Sequence, residues 1–254
     1  MSTLQAFAIC VALILGTSVT LGAMSPPHDE RLLPSLRAYV QEVLAELDEV
    51  PVERQELLRQ IAGVIVKRLA AGRTADLTFI CTHNSRRSHM SQVWAQTAAY
   101  WFRLQNVRAF SGGTEVTACN CRTVLAMRRA GFAIETQSDG ENPLLLVRYA
   151  EDRPPVRVFS KLYNAAGNPR RDFIALMTCS SADRSCPKIE GAIARFPIHY
   201  MDPRLCDDTP EETAAYNARC REIARDMFFL MAETRRQLDA HTDKNATPSL
   251  PRPR

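Results

Sequence analysis

Residues 79–88 decide the fold, and they read Phe79-Ile80-Cys81-Thr82-His83-Asn84-Ser85-Arg86-Arg87-Ser88. A cysteine ends a short apolar run, and an arginine follows it six positions later. In that spacing the Cys81 thiol can act as a nucleophile while the backbone N–H groups between the two residues turn inward and hold an oxyanion. The Arg87 guanidinium can then bind two oxygens of the same anion. The pattern predicts a phosphate-binding loop with Cys81 and Arg87 as catalytic residues.

The flanks of the loop strengthen this prediction, because Cys-(any five)-Arg alone recurs by chance. Residues 76–80 read as a buried strand. After the loop, large or apolar residues recur at helical spacing: Met90, Val93, Trp94, Thr97, Ala98, Trp101 and Leu104. A helix that starts at the loop adds its positive end to the site, which favours both the anion and the thiolate. The alternative is a structural cysteine at a strand end beside a solvated arginine.

The composition of the 254-residue chain is that of a soluble globular protein, with 46% hydrophobic and 24% charged residues. The net charge of +4 is small and scattered along the chain, which argues against a nucleic-acid partner. Eight cysteines are too few for a disulfide scaffold and indicate thiol chemistry in a reducing compartment. Zinc is the competing explanation, but Cys119 and Cys121 form the one tight pair. We expect neither a metal nor a cofactor.

The first residues of the chain allow two interpretations. Residues 4–24 carry no charge, which resembles a secretory leader or a short membrane anchor. No Lys or Arg precedes the apolar run, and Met24 offers an alternative translation start. We therefore expect a cytoplasmic protein in which residues 1–23 are a mis-assigned start, with export or membrane anchoring as the alternative.

The rest of the chain divides into three parts. The pattern of residues 24–73 predicts a helical hairpin with helices at 29–49 and 52–71. The expected role of this hairpin is packing, dimerisation or docking of a partner. Residues 74–240 predict an α/β domain, and residues 241–254 a polar, proline-rich tail. In the domain we expect core strands at 76–80, 107–111, 172–178 and 195–200, helices at 118–130 and 210–239, and a β-hairpin from 144–149 and 155–163. Alternating strands and helices predict a parallel sheet that binds ligands at the carboxyl ends of its strands.

Together with Ser111-Gly112-Gly113-Thr114 and Tyr200-Met201-Asp202-Pro203, the loop makes the chain resemble the low-molecular-weight protein tyrosine phosphatase superfamily, which includes thioredoxin-coupled arsenate reductases. The resemblance covers about residues 75–238. It implies a four-stranded parallel sheet flanked by helices. The N-terminal hairpin lies outside it, and residues 140–170 look like an insertion.

The resemblance also implies roles for the loop residues. The loop of that family reads Cys-x-Gly-Asn-x-Cys-Arg-Ser. Here Asn84, Arg87 and Ser88 match, while His83 replaces the glycine and Arg86 the second cysteine. The oxyanion-binding residues implied in this way are Thr82, His83, Asn84, Ser85, Arg86 and Ser88. Asp202 falls on the position of the general acid.

The favoured interpretation is a phosphomonoesterase that forms a phosphocysteine on Cys81. Arg87 and the loop hold the equatorial oxygens, and Asp202 protonates the leaving group. The expected substrate is a phosphotyrosine protein or a small aryl phosphate. This reaction requires only three side chains, so it involves the fewest assumptions.

Two alternatives remain open. Cys179 and Cys186 follow the third core strand with the spacing that arsenate reductases use to pass a disulfide from Cys81 to thioredoxin. Gln92 weakens this alternative, because arsenate reductases commonly carry an acidic residue there. The second alternative, motivated by His83, is a module that binds phosphorylated or other oxyanion ligands without turnover.

Overall fold

The computed structural model describes residues 31–246. The strands are β1 (Ala75–Cys81), β2 (Val107–Gly113), β3 (Ala133–Thr136), β4 (Leu145–Arg148), β5 (Val156–Val158), β6 (Phe173–Met177) and β7 (Ala192–Phe196). The helices are α1 (Pro34–Ala45), α2 (Val52–Ala70), α3 (Arg87–Trp101), α4 (Cys121–Arg129), α5 (Ser180–Ser185) and α6 (Glu212–Ala246). The predicted leader and most of the predicted tail lie outside the described residues.

The main sheet has four strands in the order β2-β1-β6-β7, and every neighbouring pair is parallel. All seven residues of β1 are buried, as expected for the inner strand that carries the loop. This confirms the α/β class and the four-stranded parallel sheet predicted from the sequence.

Both faces of the sheet are covered. On one face Leu77 and Phe79 contribute to the larger core, which also receives side chains from α1, α2, α3 and α6. On the other face Ile80 and Met177 form a smaller core with Ala182 of α5. Alternate residues of β1 therefore enter different cores, because successive side chains of a strand point to opposite faces.

The helices of the N-terminal hairpin belong to the larger core. Leu36 of α1 and Leu58 of α2 cluster with Trp94 of α3 and Phe228 of α6. The Arg221 guanidinium of α6 also binds both carboxylate oxygens of Glu46, at 2.9 and 2.7 Å. Within the described residues, no helix is both long enough and apolar enough to cross a bilayer.

The inserted β-hairpin is more extensive than predicted. It is a three-stranded antiparallel sheet in the order β3-β4-β5, and the sequence analysis missed β3. Only Ile134 of β3 is buried, so this strand carries almost no apolar signal. The predicted second strand of the hairpin, 155–163, was too long, since β5 ends at Val158.

Several element boundaries also differ from the prediction, among them those of α1 (predicted at 29–49), β7, α4 and α6. Strand β7 ends at Phe196 rather than at residue 200, because Pro197 has no N–H with which to continue a ladder. Helix α4 begins at Cys121, where the Asn120 side chain accepts a hydrogen bond from the Arg122 N–H at 2.9 Å. Helix α6 extends to Ala246, because no Gly or Pro interrupts the chain between residues 212 and 246.

Candidate active site

The Cys81 sulfur faces the interior of the loop that follows β1. The backbone N–H of Asn84 donates to it at 3.2 Å, and the Ser88 hydroxyl lies 3.1 Å away. The residue is 4% exposed, so water contributes little to its solvation. Two hydrogen-bonding groups of the loop therefore converge on the atom predicted to be the nucleophile.

Asn84 shapes the loop. Its φ of 45° is left-handed, a conformation that Asn adopts more readily than most residues. Its side chain bridges two segments, because Nδ2 donates to Ser88 Oγ at 2.9 Å and Oδ1 accepts from the Lys161 N–H at 3.0 Å. The left-handed turn lies at Asn84 rather than at His83, so the loop does not require the glycine that the resemblance implied at position 83.

The His83 side chain points away from the loop. Its Nε2 lies 3.4 Å from a carboxylate oxygen of Glu115, and the side chain is 41% exposed. Its carbonyl oxygen accepts hydrogen bonds from Ser160 Oγ at 2.8 Å and Thr117 Oγ1 at 3.0 Å. His83 thus contributes its backbone to the framework of the loop.

Arg87 opens α3 and reaches across the mouth of the loop. Its Nη1 donates to the Tyr200 carbonyl at 2.9 Å, and its Nη2 to Asp202 Oδ2 at 2.5 Å. The buried Nε has no partner among the described residues. A tetrahedral oxyanion in the loop would accept this donor and would compete with Asp202 for the guanidinium.

The first turn of α3 adds backbone donors. No side chain caps this helix, so its first N–H groups are available to an anion. Arg86 stands at the N-cap, but its Nε donates to the Tyr216 hydroxyl at 2.8 Å and its Nη2 lies 3.6 Å from Asp207. Its guanidinium is bound there.

Gly113 allows the end of β2 to approach the loop. A Cβ at this position would lie 2.6 Å from the Thr82 carbonyl oxygen and 2.9 Å from the Asn84 nitrogen. Next to it, the Thr114 N–H donates to the Thr82 carbonyl at 2.9 Å. Only glycine permits this approach, which explains why the last residue of β2 is Gly113.

Cys179 lies beside the loop, two residues after the end of β6. It is 2% exposed, and its sulfur lies 3.5 Å from Thr82 Oγ1. The same sulfur accepts a hydrogen bond from the Ala182 N–H at 3.4 Å and so caps α5. Cys186 is half-buried and stands at the other end of α5. The structure thus brings Cys179, but not Cys186, next to the residues of the loop.

Other thiols have different surroundings. Burial raises the pKa of Cys119 to about 12 and that of Cys220 to about 11. All seven cysteines within residues 31–246 are free. In that range no three His, Cys, Asp or Glu side chains converge as a metal site would require.

Several supporting residues were missed from the sequence. Thr117, Ser160 and Lys161 hold the loop through their own backbone or hydroxyl groups. They belong to no motif, and two of them lie in the inserted region, so no sequence signal could have identified them. With these supports, the loop offers a sulfur, the uncapped N–H groups of α3 and a guanidinium N–H without a partner among residues 31–246, which are groups that suit a tetrahedral oxyanion.

No protein-family model matches the chain. The arsenate reductase of Bacillus licheniformis is 28% identical over 159 residues, which cover 61% of this chain and 94% of that protein. The arsenate reductase of Bacillus subtilis is 25% identical over 156 residues, with the same coverage. A low-molecular-weight phosphotyrosine phosphatase from Vibrio cholerae O395 aligns with a TM-score of 0.43 and 12% identity, over 67% of this chain and 98% of that one.

Proposed function

Because the chain belongs to the low-molecular-weight protein tyrosine phosphatase superfamily, we propose that it reduces arsenate through Cys81, Cys179 and Cys186. The sequence analysis favoured phosphate-ester hydrolysis. The position of Cys179 reverses that order, and it is the observation that carries the proposal. A second thiol 3.5 Å from the Thr82 hydroxyl has no role in phosphate-ester hydrolysis, whereas arsenate reduction requires one within reach of the nucleophile.

The first step is attack of the Cys81 thiolate on arsenic, with loss of water. The loop N–H groups and Arg87 Nε hold the remaining oxygens. Cys179 then attacks the Cys81 sulfur, and a Cys81–Cys179 disulfide forms while the S–As bond breaks. The electron pair of that bond stays on arsenic, so arsenate leaves as arsenite and two thiols have been oxidised.

The second step transfers the disulfide to the surface. Cys186 attacks Cys179, which releases Cys81 as a thiolate and leaves a Cys179–Cys186 disulfide. A dithiol protein of the thioredoxin type then reduces this bond and regenerates the enzyme. The half-buried position of Cys186 supports its role as the thiol that presents the disulfide to such a partner.

This transfer requires α5 to unwind. Seven residues in an α-helix span about 10 Å, whereas the Cα atoms of a disulfide lie about 4.4–6.8 Å apart. The helix has six residues, and the Cys179 sulfur accepts a hydrogen bond at its N-terminal end. Formation of the Cys81–Cys179 bond removes that cap, which favours unwinding at the moment when Cys186 must approach.

Phosphate-ester hydrolysis is the second candidate, and Asp202 favours it. Its carboxylate lies 2.5 Å from Arg87 Nη2 at the mouth of the loop, where it could protonate a leaving group once the substrate takes over the guanidinium. If this candidate is right, Asp202→Asn lowers the hydrolysis of an aryl phosphate by about 10²-fold or more.

One experiment separates the two candidates. Arsenate-dependent oxidation of reduced thioredoxin and hydrolysis of an aryl phosphate are measured in parallel on the wild type, Cys179→Ser and Cys186→Ser. Cys121→Ser, which removes an exposed thiol, is the matched control. We expect both relay variants to lose arsenate turnover and to keep any phosphatase activity, while Cys121→Ser behaves as the wild type.

The outcomes discriminate clearly. Arsenate turnover that survives in both relay variants would refute the relay. Aryl phosphate hydrolysis without arsenate turnover by the wild type would establish the phosphatase candidate. A fully reduced protein that binds phosphate but turns over neither substrate would be the binding module.

A further inference from the structure

We propose that a cavity between α3 and the inserted sheet binds a small aromatic carboxylate, at a site separate from the phosphate-binding loop. The cavity has a volume of about 520 Å³, within the range of small-molecule sites. Its lining includes Phe110, Tyr149, Arg153, Arg157, Phe159 and Lys161. It thus combines three cations with three aromatic rings, and no Asp or Glu is among its lining residues.

Lys161 carries this proposal because its side chain is largely buried and its ammonium has no counter-charge among the described residues. The residue is 8% exposed, and within the described residues no carboxylate lies within ion-pair distance of its Nζ. Nζ stands over the Phe159 ring, 4.6 Å from the centroid. Burial lowers the pKa of Lys161 to about 8. A buried cation without a partner is costly, and a bound anion would offset that cost.

The neighbouring groups leave the charge uncompensated. His89 is fully buried behind the same lysine, and burial together with the Lys161 charge lowers its pKa to about 3, so it stays neutral. Arg157 is exposed at the rim and has no ion pair among the described residues. Arg153 forms an ion pair with Asp152, in which its Nε lies 3.8 Å from a carboxylate oxygen. An anion that enters the cavity therefore meets positive charge at both its floor and its rim.

The apolar residues that line the cavity indicate that its ligand contains an aromatic ring. Phe110, Tyr149 and Phe159 offer ring surface, and Pro154, Pro155 and Val156 add apolar contacts. Among the neutral polar side chains of the wall, Gln92 bonds Ser111 and Ala109, and Asn168 bonds Ser111 and Tyr163. The three cations of the lining therefore favour a ring that bears a carboxylate over a neutral polar ligand.

The cavity is connected to the loop through the backbone of Lys161. Its N–H donates to Asn84 Oδ1 at 3.0 Å, and its carbonyl accepts from the Gly113 N–H at 2.8 Å. A ligand that fixes the Lys161 side chain therefore also fixes the segment that supports Asn84. The binding site itself does not depend on which reaction the loop performs.

The test measures binding of 1-naphthoate by calorimetry to the wild type and four variants. Lys161→Met removes the buried charge, and Lys67→Met removes an exposed lysine as the matched control. Arg157→Gln removes a rim charge at an exposed position, so it keeps the test valid if Lys161→Met does not fold. Arg87→Lys perturbs the loop, and neutral 1-naphthamide serves as the control ligand.

We expect 1-naphthoate to bind Lys67→Met with the same affinity as the wild type. Its affinity for Lys161→Met should be at least tenfold lower than for the wild type, and its affinity for Arg157→Gln should also be lower. We also expect Arg87→Lys to keep the wild-type affinity and 1-naphthamide to bind at least tenfold more weakly than 1-naphthoate. Equal binding to Lys161→Met, or equal binding of the two ligands, would overturn the proposal. So would loss of binding in Arg87→Lys, which would assign the carboxylate to the loop, or absence of binding at millimolar 1-naphthoate.

Discussion

Cys81 and Cys220 are both buried, and both sulfurs accept a hydrogen bond from an N–H at 3.2 Å. For Cys81 the donor is the backbone of Asn84, and for Cys220 it is the indole of Trp94. Their surroundings differ in every other respect. Cys81 lies at the carboxyl end of a parallel strand, before the first turn of α3, with Ser88 Oγ at 3.1 Å. Cys220 lies within the larger core, where burial raises its pKa to about 11.

At Cys220 two side-chain hydrogen bonds do not offset burial, and the pKa of the thiol stays raised. Desolvation disfavours the thiolate, so the charged form needs several converging donors before it can form in the interior. The loop supplies these donors because its backbone turns inward at Asn84 and ends at the start of a helix. Around Cys220 the donors are two side chains, the Trp94 indole and the Tyr39 hydroxyl, and no inward-turned loop backbone or helix start adds to them.

Replacing the two cysteines in turn gives the largest expected contrast. Cys81→Ser should lower turnover by at least about 10³-fold, because it removes the nucleophile. Cys220→Ala should leave turnover within about twofold and lower the free energy of unfolding by about 1–3 kcal/mol, because the buried Trp94 indole N–H loses its acceptor. Steady-state kinetics and urea unfolding measure both effects. A Cys220→Ala protein that is as inactive as Cys81→Ser would contradict the assignment of Cys81 as the nucleophile and Cys220 as a structural thiol.

The geometry of the loop can be disturbed without touching its thiol. Gly113→Ala should lower turnover by about 10²-fold, because its Cβ would meet the backbone of Thr82 and Asn84 and displace the donors around Cys81. Gly63→Ala in α2 is the control, since no atom lies within 3.4 Å of its new Cβ. That variant should gain about 0.5–1 kcal/mol of stability with unchanged turnover. Wild-type kinetics in Gly113→Ala would mean that the close approach of β2 does not shape the site.

Alkylation rates sharpen the same comparison in the native protein. Iodoacetate carries a carboxylate that Arg87 and the loop N–H groups can bind, so we expect it to label Cys81 at least about tenfold faster than Cys220 at pH 8. Phosphate should protect Cys81 and leave the exposed Cys121 unprotected. Peptide mapping by mass spectrometry follows each site. Labelling of Cys81 that is insensitive to phosphate would argue against an oxyanion site around its sulfur.

The smallest expected effect concerns the ion pair between Glu46 and Arg221, the residue after Cys220. The neighbouring Arg221 lowers the pKa of Glu46 by hydrogen bonding to its carboxylate. A depressed folded-state pKa contributes stability above the unfolded value and loses it as the pH falls through the folded value. Glu46→Gln should therefore cost about 0.5 kcal/mol at pH 7 and nothing in strongly acidic solution, with turnover unchanged. Thermal unfolding across this pH range is the measurement, and a stability difference that persists in acid would contradict the assignment.

Much of the fold could be predicted from the sequence because its signals are local. The apolar run of β1, the helical spacing from Met90 to Leu104 and the alternation of strands and helices all lie within short windows. Strand β3 was not predicted because three of its four residues are exposed, so its sequence shows no apolar alternation. The C-terminal end of α6 was predicted too early, at residue 239 rather than Ala246. Polar residues can continue a helix as readily as they form a tail, provided that no Gly or Pro intervenes.

By itself, the sequence determined the loop, the spacing of Cys81 from Arg87 and the spacing of Cys179 from Cys186, since each is a relation between near neighbours in the chain. The tertiary structure alone decided which distant groups meet. The Cys179 sulfur reaches Thr82 across 97 positions, Lys161 reaches Asn84 across 77, and Tyr216 binds the Arg86 side chain across 130. Such contacts depend on how the strands order and the helices pack, and periodicity along the chain does not encode them.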